Sequence, residues 1–286
     1  MLTCGVLLLG FAVSDIRGVI LASGDGTTNT TDPGTGLPFR YVGIVNNSAS
    51  GIFLGNSHGK SWVLTANHVG LGLFVLGGTS YSPVLNSGHR LLNPNRSPSD
   101  ILLFQIDGNP NLTPLKLAHA VPVKGSQMYL IGFGRDREAD RSYWVDQGQP
   151  WTQTSSTDLF ADRIGFRWIG PQPGPERWGT ALVERKAIGI SNTVSFYTGF
   201  FDRANCATVS AGDSGGGAFS HEGGQWLLAG MLDAAGELPN QPAGTSILVN
   251  YLGQGSTTVI ADLSPYESQI NALLASAPDL ALGLSN

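Results

Sequence analysis

The stretch Ala211-Gly212-Asp213-Ser214-Gly215-Gly216-Gly217 sets a hydroxyl among glycines that have no side chain to pack. A serine hydroxyl is a weak nucleophile at neutral pH, so a reactive one needs a base beside it and donors for the oxyanion it creates. Glycines permit backbone conformations that aim successive N–H groups at one point. Read alone, such a run is more often a flexible turn or linker. The choice depends on whether a histidine and a carboxylate occur elsewhere in matching contexts.

The chain around it has 286 residues, enough for one large or two small domains with a substantial core and no need of disulfides. Charged residues make up 13% and glycine 39 of the 286, against averages of about 25% and about 7%. That balance suits strands and turns rather than helices laced with ion pairs. The net charge of −5 comes with no basic run, which argues against a nucleic-acid partner. Cys4 and Cys206 cannot build a zinc site at the usual spacing. Cys206 reads as a small buried hydrophobe.

Residues Leu2 to Val13 form an apolar run too short to span a bilayer but long enough for the core of a signal peptide. The expectation is a leader over residues 1–22, a secreted protein (extracellular or periplasmic) and no membrane span; a buried first strand is the alternative. Residues 23–38 are Gly, Thr, Asn, Asp and Pro almost throughout and read as an irregular arm. From Tyr41 onward come short β-branched or aromatic runs separated by Asn, Ser and Gly turns, with no βαβ rhythm. This pattern predicts an all-β sandwich or barrel fold. The segment 135–180 reads as a surface excursion in which Arg163, Phe166, Arg167, Trp168, Arg177 and Trp178 cover the barrel, aromatics inward and arginines outward. Near the end, Ser264-Pro265-Tyr266-Glu267 combines an N-cap, a proline at the first helical position and a capping-box glutamate. Ile270, Leu273 and Leu274 then form one apolar helical stripe.

Two further residues answer the question posed by Ser214. His68 follows the apolar strand Ser61 to Thr65, so its ring can emerge at a strand end. Asp100 opens the run Ile101-Leu102-Leu103-Phe104, an odd place for a charge without a partner. Singly, the histidine is structural and the aspartate a turn residue; those readings weaken only when the two are taken together with Ser214.

These residues carry a resemblance. Trp62-Val63-Leu64-Thr65-Ala66-Asn67-His68-Val69, Ser99-Asp100-Ile101-Leu102-Leu103 and Gly212-Asp213-Ser214-Gly215-Gly216 resemble, in the same order, the catalytic histidine, aspartate and serine segments of the trypsin/chymotrypsin-like serine proteases. Ile131-Gly132-Phe133-Gly134-Arg135 is similar to the strand that opens that family's second barrel, and Leu228-Ala229-Gly230-Met231-Leu232 to the strand after its serine. The match spans residues 39 to 276 and fits bacterial secreted, disulfide-free members best.

The resemblance implies two packed six-stranded antiparallel β-barrels, at 39–122 and 123–276, the second including a C-terminal helix, with 277–286 a tail. It implies a monomeric serine endopeptidase acting on protein or peptide substrates. Ser214 attacks, His68 is the base, Asp100 orients it, and the N–H groups of Gly212 and Ser214 form the oxyanion hole. Substrate would bind at Thr208, Asp233 and Ala234, with Thr208 at the base of the specificity pocket, implying an uncharged side chain before the scissile bond. Two residues depart from the pattern. Asn67 replaces a small residue, and Asp233 falls where a serine commonly supports the catalytic aspartate. A second carboxylate there either points away or gives the site an unusual pH profile. In members activated by cleavage a new amino terminus pairs with the aspartate before the serine; no convincing site of that kind is found, and the partner of Asp213 stays open. An inactive homologue serving as a binding module, or an esterase on the same triad, are the other readings.

Overall fold

The computed structural model describes residues 18–148, 150–188 and 192–275. Its chain forms two β-barrels and a C-terminal helix, as expected. The first sheet runs in the order Thr79–Tyr81, Phe74–Leu76, Val42–Val45, Ala49–Ser57, Lys60–Ala66, Pro98–Ile106, His89–Leu92. It closes through a bridge between Pro83 and Ile106 rather than a full ladder. Proline has no N–H to continue a ladder, and flanking bonds from Val84 N–H to Gln105 and Asp107 N–H to Ser82 complete the seam.

The strand Lys60–Ala66 shows how the sequence pattern becomes packing. Successive side chains leave opposite faces. Val63 enters the barrel interior with Val45, Phe53, Phe74 and Phe104. Trp62, Leu64 and Ala66 enter a second cluster that joins this barrel to Ile131, Phe219, Met231 and the helix residues Tyr266 and Ile270. Both faces are therefore buried, and every residue from Ser61 to Ala66 is withdrawn from water, Ser61 and Thr65 included.

The second barrel is closed by Gln127–Gly132, Arg177–Ile188, Val194–Gly199, Thr257–Asp262, Gln225–Gly236 and Gly217–Glu222 in that ring order. Met128, Leu130, Val183, Phe196, Ala218, Leu232 and Ile260 fill it. The helix Glu267–Ala275 begins after a 3-10 turn at Ser264–Tyr266. The expected capping box is not formed. Asp262 Oδ1 accepts the N–H and hydroxyl of Ser264, and Glu267 bonds His119 at 2.8 Å instead of folding back.

Two expectations need correction. The excursion 135–180 is ordered: Asp136–Arg137, Ser142–Val145, Thr152–Thr154 and Arg163–Ile169 pair with one another and with Thr245–Ile247. Its arginines do not all face water, because Arg137 and Arg177 are buried. The leader boundary at Ala22 also cuts through folded structure. Residues 1–17 lie outside the described residues, but Val19, Ile20, Leu21 and Ala22 are buried, and Ile20–Leu21 pair with Ala207–Thr208.

The two corrections share one cause. Arg137 donates to the carbonyls of Leu21, Ser23 and Gly24, and Arg177 to those of Gly18, Val19 and Thr28. A buried guanidinium needs its donors filled. The N-terminal segment supplies the acceptors, and burial lowers the Arg137 pKa to about 10. A chain starting at Ser23 forfeits the burial of Val19, Ile20 and Leu21, about 2 kcal/mol each, and removes the Leu21 carbonyl from Arg137 and the Gly18 and Val19 carbonyls from Arg177. It should melt ~10 °C or more below a chain starting at Gly18, or fail to fold, as read by thermal unfolding.

Candidate active site

The strand register creates the first half of the site. Ala66 pairs with Ile101, so the next residues beyond that pair are Asn67 and Asp100, and Asn67 N–H bonds the Asp100 carbonyl at 2.9 Å. His68 then lies beside the Asp100 carboxylate. Its backbone N–H donates to Oδ1 at 2.9 Å and its Nδ1 approaches Oδ2 at 2.5 Å. Asp100 is buried while half of the His68 side chain is exposed, so the acid is shielded and the base can reach substrate. The hydrogen bond to Asp100 raises the His68 pKa above its ordinary 6.5. Burial pushes Asp100 the other way, but the bonds from His68 and Asp233 outweigh it and its pKa lies below the usual carboxylate value.

The second half is the loop that carries Ser214, and it is fastened by Asp213. This carboxylate is wholly buried and accepts N–H bonds from Gly134 and Ser210, each at 2.8 Å. The single proton of Ser210 Oγ is shared between Asp213 Oδ2 at 3.2 Å and the Arg135 carbonyl at 3.0 Å. Burial raises the Asp213 pKa to about 6, tempered by these bonds and by Arg177. The question left by the sequence, what satisfies this charge, is answered by backbone and a serine. The glycines of Gly132-Phe133-Gly134 make that approach feasible: a Cβ on Gly134 would lie 2.2 Å from Asp213 Oδ2.

Ser214 and its neighbours face the first barrel. Gly215 has φ +87°, and a Cβ there would meet the Ser50 carbonyl at 2.1 Å, so this glycine allows the loop to press against the other barrel. Ser50 N–H bonds the Ser214 carbonyl at 2.9 Å. Ser50 Oγ donates to the Gly212 carbonyl at 2.9 Å and accepts the Phe133 N–H at 3.0 Å. The N–H groups of Gly212 and Ser214 have no hydrogen-bond partner among the described residues. Ser214 Oγ donates to the Asp233 carbonyl at 3.3 Å, and no hydrogen bond joins it to His68.

These groups share a cleft of about 300 Å³ lined by His68, Asp100, Ser214, Asp233, Ala234 and the residues Val209, Ser210 and Trp168. Of the residues named from sequence, the structure brings together His68, Asp100, Ser214, Asp233 and Ala234, with Gly212 in the adjoining loop. Thr208, expected at the base of the specificity pocket, is buried, pairs with Ile20 and meets the Thr258 hydroxyl at 3.1 Å; it is not among the residues that line this cleft. Trp168 was expected to cover the barrel; its indole N–H bonds Ser246 and it forms a wall of the cleft. Ser50 and Ser210 carried no sequence signal, since each acts through a contact with a distant segment. Asp233 does not point away. One oxygen of each of Asp100 and Asp233 and a ring nitrogen of His68 lie within 4.8 Å of one another. A groove of about 440 Å³ under the C-terminal helix is lined by Leu54, Leu117 and Ile270 with Lys116, His119 and Glu267, and by no serine, threonine or cysteine.

No family model matches the sequence, and no curated protein matches it either. Solved structures are similar in fold. A mutant of human heparin binding protein has a TM-score of 0.52 at 18% identity, covering 85% of this chain and 95% of its own. Neuropsin, a serine protease expressed in the limbic system of mouse brain, has a TM-score of 0.50 at 16% identity, covering 87% and 98%. At these identities the likeness establishes the architecture, which is the trypsin-like, two-barrel fold.

The Ser50 contacts can be tested separately from the triad. Replacing Ser50 by Ala leaves the Phe133 N–H without its acceptor and releases the Gly212 carbonyl. Stability should fall by about 1–3 kcal/mol in denaturant titration. The rate of reaction of Ser214 with a fluorophosphonate should fall by about 10²-fold, because the Gly212 peptide is then free to rotate.

Proposed function

We propose that the protein is a serine endopeptidase that hydrolyses peptide bonds through an acyl-enzyme on Ser214. The observation that carries this is the doubly hydrogen-bonded His68–Asp100 pair facing, across one cleft, a serine whose loop offers two unpartnered N–H groups. With Nδ1 donating to Asp100, His68 presents an unprotonated Nε2. Ser214 Oγ rotates from the Asp233 carbonyl to this nitrogen, loses its proton to it and attacks the substrate carbonyl. Asp100 stabilises the imidazolium, which returns the proton to the leaving amine; water then repeats the sequence to release the acid. The N–H groups of Gly212 and Ser214 receive the oxyanion, about 3 kcal/mol per donor. Side chains and backbone supply every group, so the reaction calls for no metal or cofactor.

Beyond the triad the cleft is lined by the uncharged residues Trp168, Val209, Ser210, Ala211, Leu232, Ala234 and Ala235 and by Asp233, whose carboxyl is gathered with Asp100 and His68. This supports an uncharged side chain before the scissile bond of a protein or peptide substrate. No helix among the described residues is long and apolar enough to cross a membrane. A secreted, monomeric enzyme goes with this reading. One observation favours the rival of an inactive homologue used for binding: the Ser214 hydroxyl is engaged by Asp233 and not by His68.

Labelling by a fluorophosphonate separates these readings. Wild type should label, while Ser214→Ala and His68→Ala should not, and Asp100→Asn should slow the reaction by about 10⁴-fold; an unlabelled, folded wild type makes the protein a binding module. The base must be neutral to act, and the Asp100 bond raises its pKa, so the rate should rise with pH through a midpoint above 6.5. Among reporter peptides, those with an uncharged residue before the cut should exceed Lys or Arg by about tenfold or more in kcat/KM. Exclusive cleavage after Lys or Arg contradicts the pocket assignment, and hydrolysis of esters alone makes the enzyme an esterase.

A further inference from the structure

Resting on the protease reading, we propose that Asp233 is a positioning residue that works as a neutral acid: its carboxyl proton is donated to the Asp100 carboxylate and holds it for His68. The two carboxylates are almost fully buried, at 3% exposure each, and share with His68 a space less than 4.8 Å across. Two negative charges that close in a desolvated site do not both persist; one carboxyl keeps a proton.

The hydrogen bonds decide which. Asp100 accepts the His68 backbone N–H and Nδ1, donors suited to a carboxylate. Asp233 Oδ2 has no protein donor at all among the described residues. The titratable groups that face Asp233 are Asp100 and His68, with the Tyr266 hydroxyl beyond them. That hydroxyl is already given to Asn93 Oδ1, and it accepts the Val194 N–H. The nearby Lys186 ammonium lies 3.8 Å from Asp262 instead. A protonated Asp233 resolves all of this: it removes one charge, supplies its own donor and gives the second oxygen of the pair a partner. Burial, and then the neighbouring Asp100, push the Asp233 pKa up to about 8.

The consequence is a ceiling on the working pH. Above that value Asp233 ionises, the donor to Asp100 is lost, and the imidazole faces two charges that hold its proton more tightly. Both effects remove the base. The fraction of enzyme with Asp233 protonated is one half at the pKa and, a unit or more above it, falls about tenfold for each further pH unit.

The experiment follows the rate of fluorophosphonate labelling from pH 6 to 10 in wild type, Asp233→Asn and Asp233→Ser. Wild type should lose about fivefold between pH 8 and 9, and about tenfold for each pH unit beyond. Both variants donate to Asp100 without ionising, and should hold a plateau over that range. An alkaline loss that is the same in all three overturns the proposal. A second measurement does not need activity: the infrared C=O band of a protonated carboxylic acid at pH 7, taken as the difference between wild type and either variant. Glu176, raised to about 9 by burial and by Asp32, contributes to both proteins and cancels. The difference band should be present and vanish around pH 8 to 9; its absence at pH 7 means both carboxylates are ionised and overturns the proposal. A chelator that abolishes the alkaline loss, or a metal ion found in stoichiometric amount, shows a cation joining the two carboxylates and also overturns it. If wild type does not label, the protease reading fails while the infrared difference still decides the state of Asp233.

Discussion

The burial of one carboxylate governs the arrangement of this site. Asp213 is removed from water entirely, so its charge must be met by donors within the protein, and the donors it uses are backbone N–H groups from two separate segments together with Ser210. Meeting that requirement draws the loop 210–216 against the strand end at Gly132-Phe133-Gly134. Glycine is needed there because a side chain would occupy the carboxylate's place. The conformation of the loop then follows. Gly212 and Gly215 take positive φ, Ser214 is half-exposed at the cleft, and two N–H groups are left without partners.

The other half of the site belongs to the first barrel, and the halves are joined by Ser50 and by a common core. Ser50 binds the loop at Gly212 and Ser214 and the second-barrel strand end at Phe133 with three hydrogen bonds. Beneath it, Trp62, Leu64, Ile131, Phe219 and Tyr266 belong to one continuous cluster. The distance between Ser214 and His68 is thus set by packing between barrels rather than within either. Close-packed interiors transmit small displacements, so residues distant in sequence, such as Ser50 and Tyr266, bear on the geometry of the cleft without lining it.

Electrostatically the cleft is acid-rich and dry at its inner wall. Asp100 and Asp233 together face one imidazole, and each pKa depends on the other. A serine in place of Asp233 could donate to Asp100 at any pH. An aspartic acid can do so only while protonated, so under the proposed role of Asp233 the geometry around His68 follows the acidity of the medium. Elsewhere the protein handles buried charge differently. Arg137 and Arg177 are neutralised mainly by carbonyl dipoles of the N-terminal segment rather than by carboxylates, which binds residues 18–28 into the second barrel.

Some of this was legible in the residues alone. Alternating and fully apolar runs determined the strands, because a strand's side chains alternate with period two whatever its partners. The motifs around His68, Asp100 and Ser214 determined the candidate triad, because that chemistry restricts residue type over a few positions. The sequence left unread Ser50, Ser210, Trp168, the buried arginines and the strand at Ile20–Leu21. Each of these gains its role from a partner far along the chain, where no local pattern can record it. The surroundings of Thr208 were illegible for the same reason: its number before the serine was known, but only the tertiary pairing sets it beside Ile20 and Thr258. The sequence by itself determined which side chains could do chemistry. The tertiary structure decided which of them meet, in what protonation state and facing what space, because those are properties of burial and distance.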